Sequence, residues 1–131
     1  MPSTTAKSLI VALALVISTG CAVQQQQTRF SPLSSQQVSP PVRLQQQIDI
    51  RLNTGYARSL KGGSLWTDIG SVSEGEVYKP FHDVFTLEGA HIHEAYLVVA
   101  NNTLTGFYLP AEQTFSPLDQ KVSINLNKQE P

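Results

Sequence analysis

The chain has 131 residues, 9 basic and 10 acidic side chains, a net charge of −1 and a single cysteine, Cys21. That length holds one domain and a tail. Scattered charge with no run of Lys or Arg excludes an electrostatic footprint for nucleic acid. One cysteine excludes an intrachain disulfide, so the folded part must rest on its own core or on a partner.

The start of the chain carries Lys7 and no acidic residue, then LIVALALVI over residues 9–17, then Ser18, Thr19, Gly20 and Cys21. A positive start, a short apolar run and small residues at a cut form the grammar of a secretory signal. Nine residues span about 14 Å as a helix, half of a bilayer core, too short for a permanent transmembrane span.

The stretch Ile17-Ser18-Thr19-Gly20-Cys21 resembles the lipobox of bacterial lipoproteins. Gly20 and Cys21 match the core of that motif, while Ser18 stands where Leu is usual. The resemblance covers residues 1–21 only. It implies a signal peptide over residues 1–20, a diacylglycerol on the Cys21 thiol and an acyl group on its amine. Ala22, in place of an Asp, implies the outer membrane, with the protein facing the periplasm. Several acyl chains at about 0.8 kcal/mol per buried CH₂ make such an anchor effectively permanent. The alternative is ordinary cleavage after Ala22, which releases a free periplasmic protein.

Residues 21–43 are rich in Gln, Pro and Ser, contain no Gly and show no apolar period. Such chain buries too little surface to offset its entropy, so the composition predicts a disordered tether. Its physical role would be that of a spacer between anchor and domain.

From residue 44 to 131 the composition shifts to Gly and aromatics, which predicts a small domain there. Ile48-Asp49-Ile50-Arg51-Leu52 alternates as a strand does. Leu44, Ile48, Leu52, Tyr56 and Leu60 also fit helical spacing, so a helix near 44–60 is the rival expectation, opposed by Asn53 and Gly55. Residues 65–72, LWTDIGSV, predict a strand with Trp66 in the core. Residues 76–87 predict another, bent at Pro80, which cannot donate to a ladder. Turns are expected at Glu74-Gly75 and Glu88-Gly89.

The densest apolar stretch is AHIHEAYLVVANNTLTGFYLP, residues 90–110. It predicts a hairpin about Asn101-Asn102, since Asn tolerates the positive φ that a primed two-residue turn needs. The register would pair Ala100 with Thr103, Val99 with Leu104, Val98 with Thr105, Leu97 with Gly106 and Tyr96 with Phe107. Leu97, Val99, Leu104 and Tyr108 would then share one face, and Tyr96, Val98, Phe107 and Leu109 the other. Residues 110–118 predict a loop anchored by Phe115, and 121–126 a closing strand. Short strands at intervals of about ten residues with Gly turns predict a mainly β fold, a small antiparallel barrel or sandwich. With the helix near 44–60 the class would be α+β.

One constellation bears on chemistry. In a strand, His91 and His93 point to one face about 6–7 Å apart and could share zinc or copper. His82 or Asp83 could add a third ligand. The cupin pattern fails, because Leu97 and Val98 stand where its Glu would be. The plainer reading, and the one adopted, is a solvated strand end with no cofactor. Glu88, Glu94 and Glu112 could pair with one another, though their spacing does not require it. Nucleophile elbow, P-loop and dinucleotide fingerprints are missing from the sequence.

The expectation is therefore a non-enzymatic, lipid-anchored periplasmic binding or accessory module. It would serve an envelope partner of a secretion, conjugation or cell-wall assembly, with the anchor raising effective concentration. A sheet edge near Pro80 or residues 121–126 would be its docking strand. A metal-binding protein using His91, His93 and His82 is the second expectation, and a purely structural envelope lipoprotein the third.

Overall fold

The computed structural model describes residues 22–128. The expected signal peptide over residues 1–20 and the expected acylation site Cys21 lie outside the described residues. Among those described, the chain is mainly β and antiparallel, sandwich-like rather than a closed barrel. The strands are β1 (Gln26–Gln27), β2 (Ser31–Pro32), β3 (Val42–Leu44), β4 (Ile48–Arg51), β5 (Ala57–Leu60), β6 (Leu65–Val72) and β7 (Gly75–Pro80). They continue as β8 (Thr86–Glu88), β9 (Ile92–Glu94), β10 (Tyr96–Ala100), β11 (Thr103–Leu109), β12 (Thr114–Ser123) and β13 (Leu126–Lys128). The main sheet runs β1-β12-β11-β10-β7-β6-β3-β13, with β2 also on β6, while β4-β5 and β8-β9 form two separate ribbons.

The hairpin expected at residues 90–110 forms as β10–β11. Asn101 and Asn102 take φ of 51° and 58°, the conformation that their side chains make affordable. Ala100 pairs with Thr103 and Val99 with Leu104, as predicted. Beyond these rungs a bulge at Thr105 shifts the pairing to Val98–Gly106, Leu97–Phe107 and Tyr96–Tyr108. The Thr105 hydroxyl donates to the Val98 carbonyl at 3.1 Å, which holds the extra residue in place. One inserted residue exchanges faces in a period-two element. Phe107 and Leu109 therefore join Leu97, Val99 and Leu104, and Tyr108 joins Tyr96 and Val98.

Both faces of the sheet are consequently buried. The first face meets Ile50, Leu60 and Leu87 from the two ribbons, with Leu97, Leu104 and Leu109 fully enclosed. Each such side chain contributes about 1.5–3 kcal/mol on burial. The second face gathers Val72, Val77, Tyr96, Val98, Tyr108 and Phe115, with Phe30 packed on them.

Residues 22–43 do not behave as their composition predicts. Val23 is buried in the first cluster, β1 pairs with β12, β2 pairs with β6, and β3 lies between β6 and β13. Between β1 and β2 the chain crosses the second face, where Phe30 stacks on Tyr108 at 5.2 Å. The Leu33 N–H donates to the Ile69 carbonyl at 3.0 Å. This strap needs little apolar mass of its own, because the sheet supplies both the greasy surface and the edge partners. The domain accordingly starts at the strap and not at residue 44.

The rival helix near 44–60 does not form. Residues 48–51 and 57–60 pair as β4–β5, and Gly55 takes a φ of 90° in the turn between them. The expected strand over 76–87 stops at Pro80 and resumes as β8, and the expected loop over 110–118 is largely strand β12. Gln113, at φ 58°, makes the turn that lets Thr114 start pairing at once.

Candidate functional site

A cleft of about 330 Å³ opens between β5, the start of β6 and the loop after β7. Its shape follows from three local events. Pro80 ends β7, His82 turns the chain at φ 54°, and the Asp83 carboxylate accepts the Val84 N–H at 2.8 Å. The Phe81 N–H stays tied to the Leu65 carbonyl at 3.0 Å, so the loop is pinned at its base.

The floor is aromatic. Trp66 meets Phe85 edge-on with centroids 6.0 Å apart, and Phe85 stacks on Phe107 at 5.7 Å. The indole N–H donates to the Ser64 hydroxyl at 2.9 Å, and that hydroxyl donates to the Lys61 carbonyl at 2.6 Å. Trp66 is thereby held in one orientation with its polar edge satisfied. On the rim, Phe81 is 40% exposed and Val84 67% exposed.

Arg58 supplies the charge. Its guanidinium lies 4.9 Å from the centre of the Phe85 ring, a cation–π distance. Its Nε is buried and has no hydrogen-bond partner among the described residues. A buried donor left unmade costs roughly 1–3 kcal/mol. An apolar floor with one cation set over its ring suits a planar or apolar group that bears a carboxylate or carbonyl. Lys61 and Asp83 flank the mouth.

These residues were not singled out from the sequence as a site, although a signal was there. Arg58 and Leu60 are two apart in a strand, so the arginine shares the face of a core leucine. Phe81 and Val84 bracket a polar turn where apolar residues have no core to enter.

The sequence candidates are only partly brought together. His91 and His93 lie with ring centroids 6.5 Å apart, as strand geometry predicts. His93 Nδ1 makes a 2.7 Å contact with Glu112 Oε1. His82 instead sits edge-on to Phe81 at 4.1 Å. Among the described residues no group of three or more His, Cys, Asp or Glu converges as a metal site. The carboxylates are separately engaged: the Tyr96 hydroxyl donates to Glu94 at 3.3 Å, and Glu112 serves His93. Tyr96 is held above the ordinary phenol range by burial first and by the Glu94 charge second.

No protein-family model matches the chain, no curated protein is similar to it in sequence, and no solved structure matches its fold.

Proposed function

We propose that the chain is a non-enzymatic, lipid-anchored binding module of the bacterial envelope, held to the outer membrane through Cys21 and facing the periplasm. The observation that carries the binding role is the Arg58–Trp66–Phe85 cleft, an aromatic floor beside a buried, unmade guanidinium donor. Its occupant is a segment of an envelope protein that presents an apolar or aromatic side chain next to a carboxylate or carbonyl. Confinement to one membrane raises the effective concentration of such a partner without any added contact.

Two measurements test the reading. Metabolic labelling with palmitate marks the wild-type protein and leaves Cys21→Ser unmarked; equal marking removes the anchor. A photo-crosslinker at Val84 captures a defined membrane partner, and Arg58→Ala with the same crosslinker loses it. Capture that is indifferent to Arg58 removes the cleft from the account.

A second reading, zinc or copper capture, has one observation in its favour. A carboxylate on Nδ1 of a histidine is the arrangement that orients a metal-binding imidazole, and Glu112 stands so toward His93, with His91 beside it. Metal titration of the purified protein decides it: binding that vanishes in His91→Ala/His93→Ala supports capture, and no binding at micromolar metal ends it.

A further inference from the structure

We infer that the end of the domain formed by the 53–56 and 88–92 turns lies directly on the lipid headgroups, with Tyr56 and Ile92 as its contact residues. The inference rests on acylation of Cys21, the reading proposed above, and adds to it where the domain sits and which way it faces.

The argument starts from distance. Val23 is 92% buried in the first cluster, since only 8% of its surface is exposed, and it lies beside Leu52, Thr54, Leu87 and Leu118. Consecutive Cα atoms are about 3.8 Å apart, so Cys21 is within about 8 Å of Val23. The exit is also fixed in direction. Gln26 and Gln27 pair with β12, and the Thr114 hydroxyl donates to the Gln25 side-chain oxygen at 3.0 Å. A leash of twenty residues would let the domain roam; here Ala22 alone separates the acylated residue from the core. Acyl chains that enter the hydrocarbon therefore bring the surface around Val23 to the headgroups.

That surface has the chemistry for the position. The Thr54 hydroxyl donates to the Glu88 carbonyl at 3.1 Å and joins the two turns. Thr54, Gly55, Tyr56, Gly89 and Ala90 line a shallow depression between them, all uncharged. Tyr56 is 50% exposed, and Ile92, on the strand that leaves the second turn, is 72% exposed. An amphipathic ring and an isolated aliphatic side chain gain at a headgroup boundary what they lose in water. The set shares no residue with the Arg58 cleft.

The test uses the acylated protein extracted from membranes and returned to vesicles that contain brominated lipids. Tryptophan is added in two single variants, Ile92→Trp and Val38→Trp; Val38 is a comparably exposed apolar residue on the strap, at 75%. Trp66, buried, is the common background. The Ile92→Trp signal shifts to the blue and loses intensity to bromine, while the Val38→Trp signal does neither. Equal quenching of both variants, or of neither, overturns the inference. In a parallel arm the chain from Cys21 onward is coupled through its thiol to maleimide-headgroup vesicles. Quenching confined to Ile92→Trp there supports the orientation of a chain held at Cys21, while mass spectrometry that finds Cys21 unacylated in cells sinks the anchoring reading and the membrane contact that rests on it. A blue shift that appears without vesicles and grows with protein concentration assigns the patch to a second copy of the chain and overturns the lipid contact.

Discussion

Both faces of the main sheet are apolar, but they are covered by different kinds of chain. The first face is closed by two ribbons whose own alternation delivers Ile50, Leu60 and Leu87 into the same cluster as Leu97 and Phe107. The second face is crossed by a single ply in which Phe30 is the ring laid over Tyr108. Order on the first face comes from many mutually buried side chains. Order under the strap comes from backbone pairing at two sheet edges and from space left for one ring. Gly70 leaves that space: a Cβ there would fall on the Ser31 carbonyl and the Phe30 ring. A polar, proline-bearing segment can thus be ordered without a hydrophobic period of its own, provided that a finished sheet offers it edges and a platform.

Three substitutions separate the two kinds of cover. Phe107→Ala empties the first cluster where Phe85 stacks, and a loss of about 3–5 kcal/mol is expected from urea denaturation. Gly70→Ala pushes the strap from its seat and costs roughly 1–3 kcal/mol by overpacking. Amide exchange then speeds at Leu33, whose N–H is held by Ile69, while Leu97 stays protected up to global unfolding. Phe30→Ala, at a half-buried ring, costs about 1–2 kcal/mol with the same local exchange signature. If Phe30→Ala cost as much as Phe107→Ala, the strap would be part of the core and the distinction would fail.

The same contrast explains what could be read from the sequence. The β10–β11 turn and its first two rungs were legible, because Asn101-Asn102 between apolar runs is a local signal with one good geometric solution. The bulge at Thr105 was not, since nothing in TLTGFYL marks the extra residue until Thr105 is seen to bond Val98. One missed residue was enough to send Phe107, Tyr108 and Leu109 to the wrong faces. The strap was illegible for a deeper reason: its stability lies in partners far along the chain, β12 and β6, and composition reports only what a segment can bury by itself. The cleft suffered likewise. Arg58, Trp66 and Phe85 come from three separate elements, and only the fold sets the guanidinium over the ring. The spacing of His91 and His93 was legible because only one residue separates them, His91 just before β9 and His93 within it; the role of Glu112 was not, because it arrives from another turn.

The tyrosines offer the smallest and most discriminating test of the comparison. Tyr78 belongs to the first cluster, Tyr96 and Tyr108 to the second. Burial raises all three above the ordinary phenol value, and most strongly Tyr78, whose hydroxyl also donates to Glu76 at 2.7 Å beside that carboxylate's charge. In the unfolded chain each loses its proton near pH 10, while the folded protein still holds it. The native state then binds more protons, so stability is complete below about pH 10 and falls as pH rises beyond it. One tyrosine sets a slope of at most about 1.4 kcal/mol per pH unit. Tyr78→Phe should flatten that decline clearly, and Tyr96→Phe or Tyr108→Phe less, in urea midpoints followed from neutral into alkaline solution. Equal flattening by all three would mean that the strap dries its face as thoroughly as the ribbons dry theirs, and that one ply of chain with a single well-placed ring is cover enough.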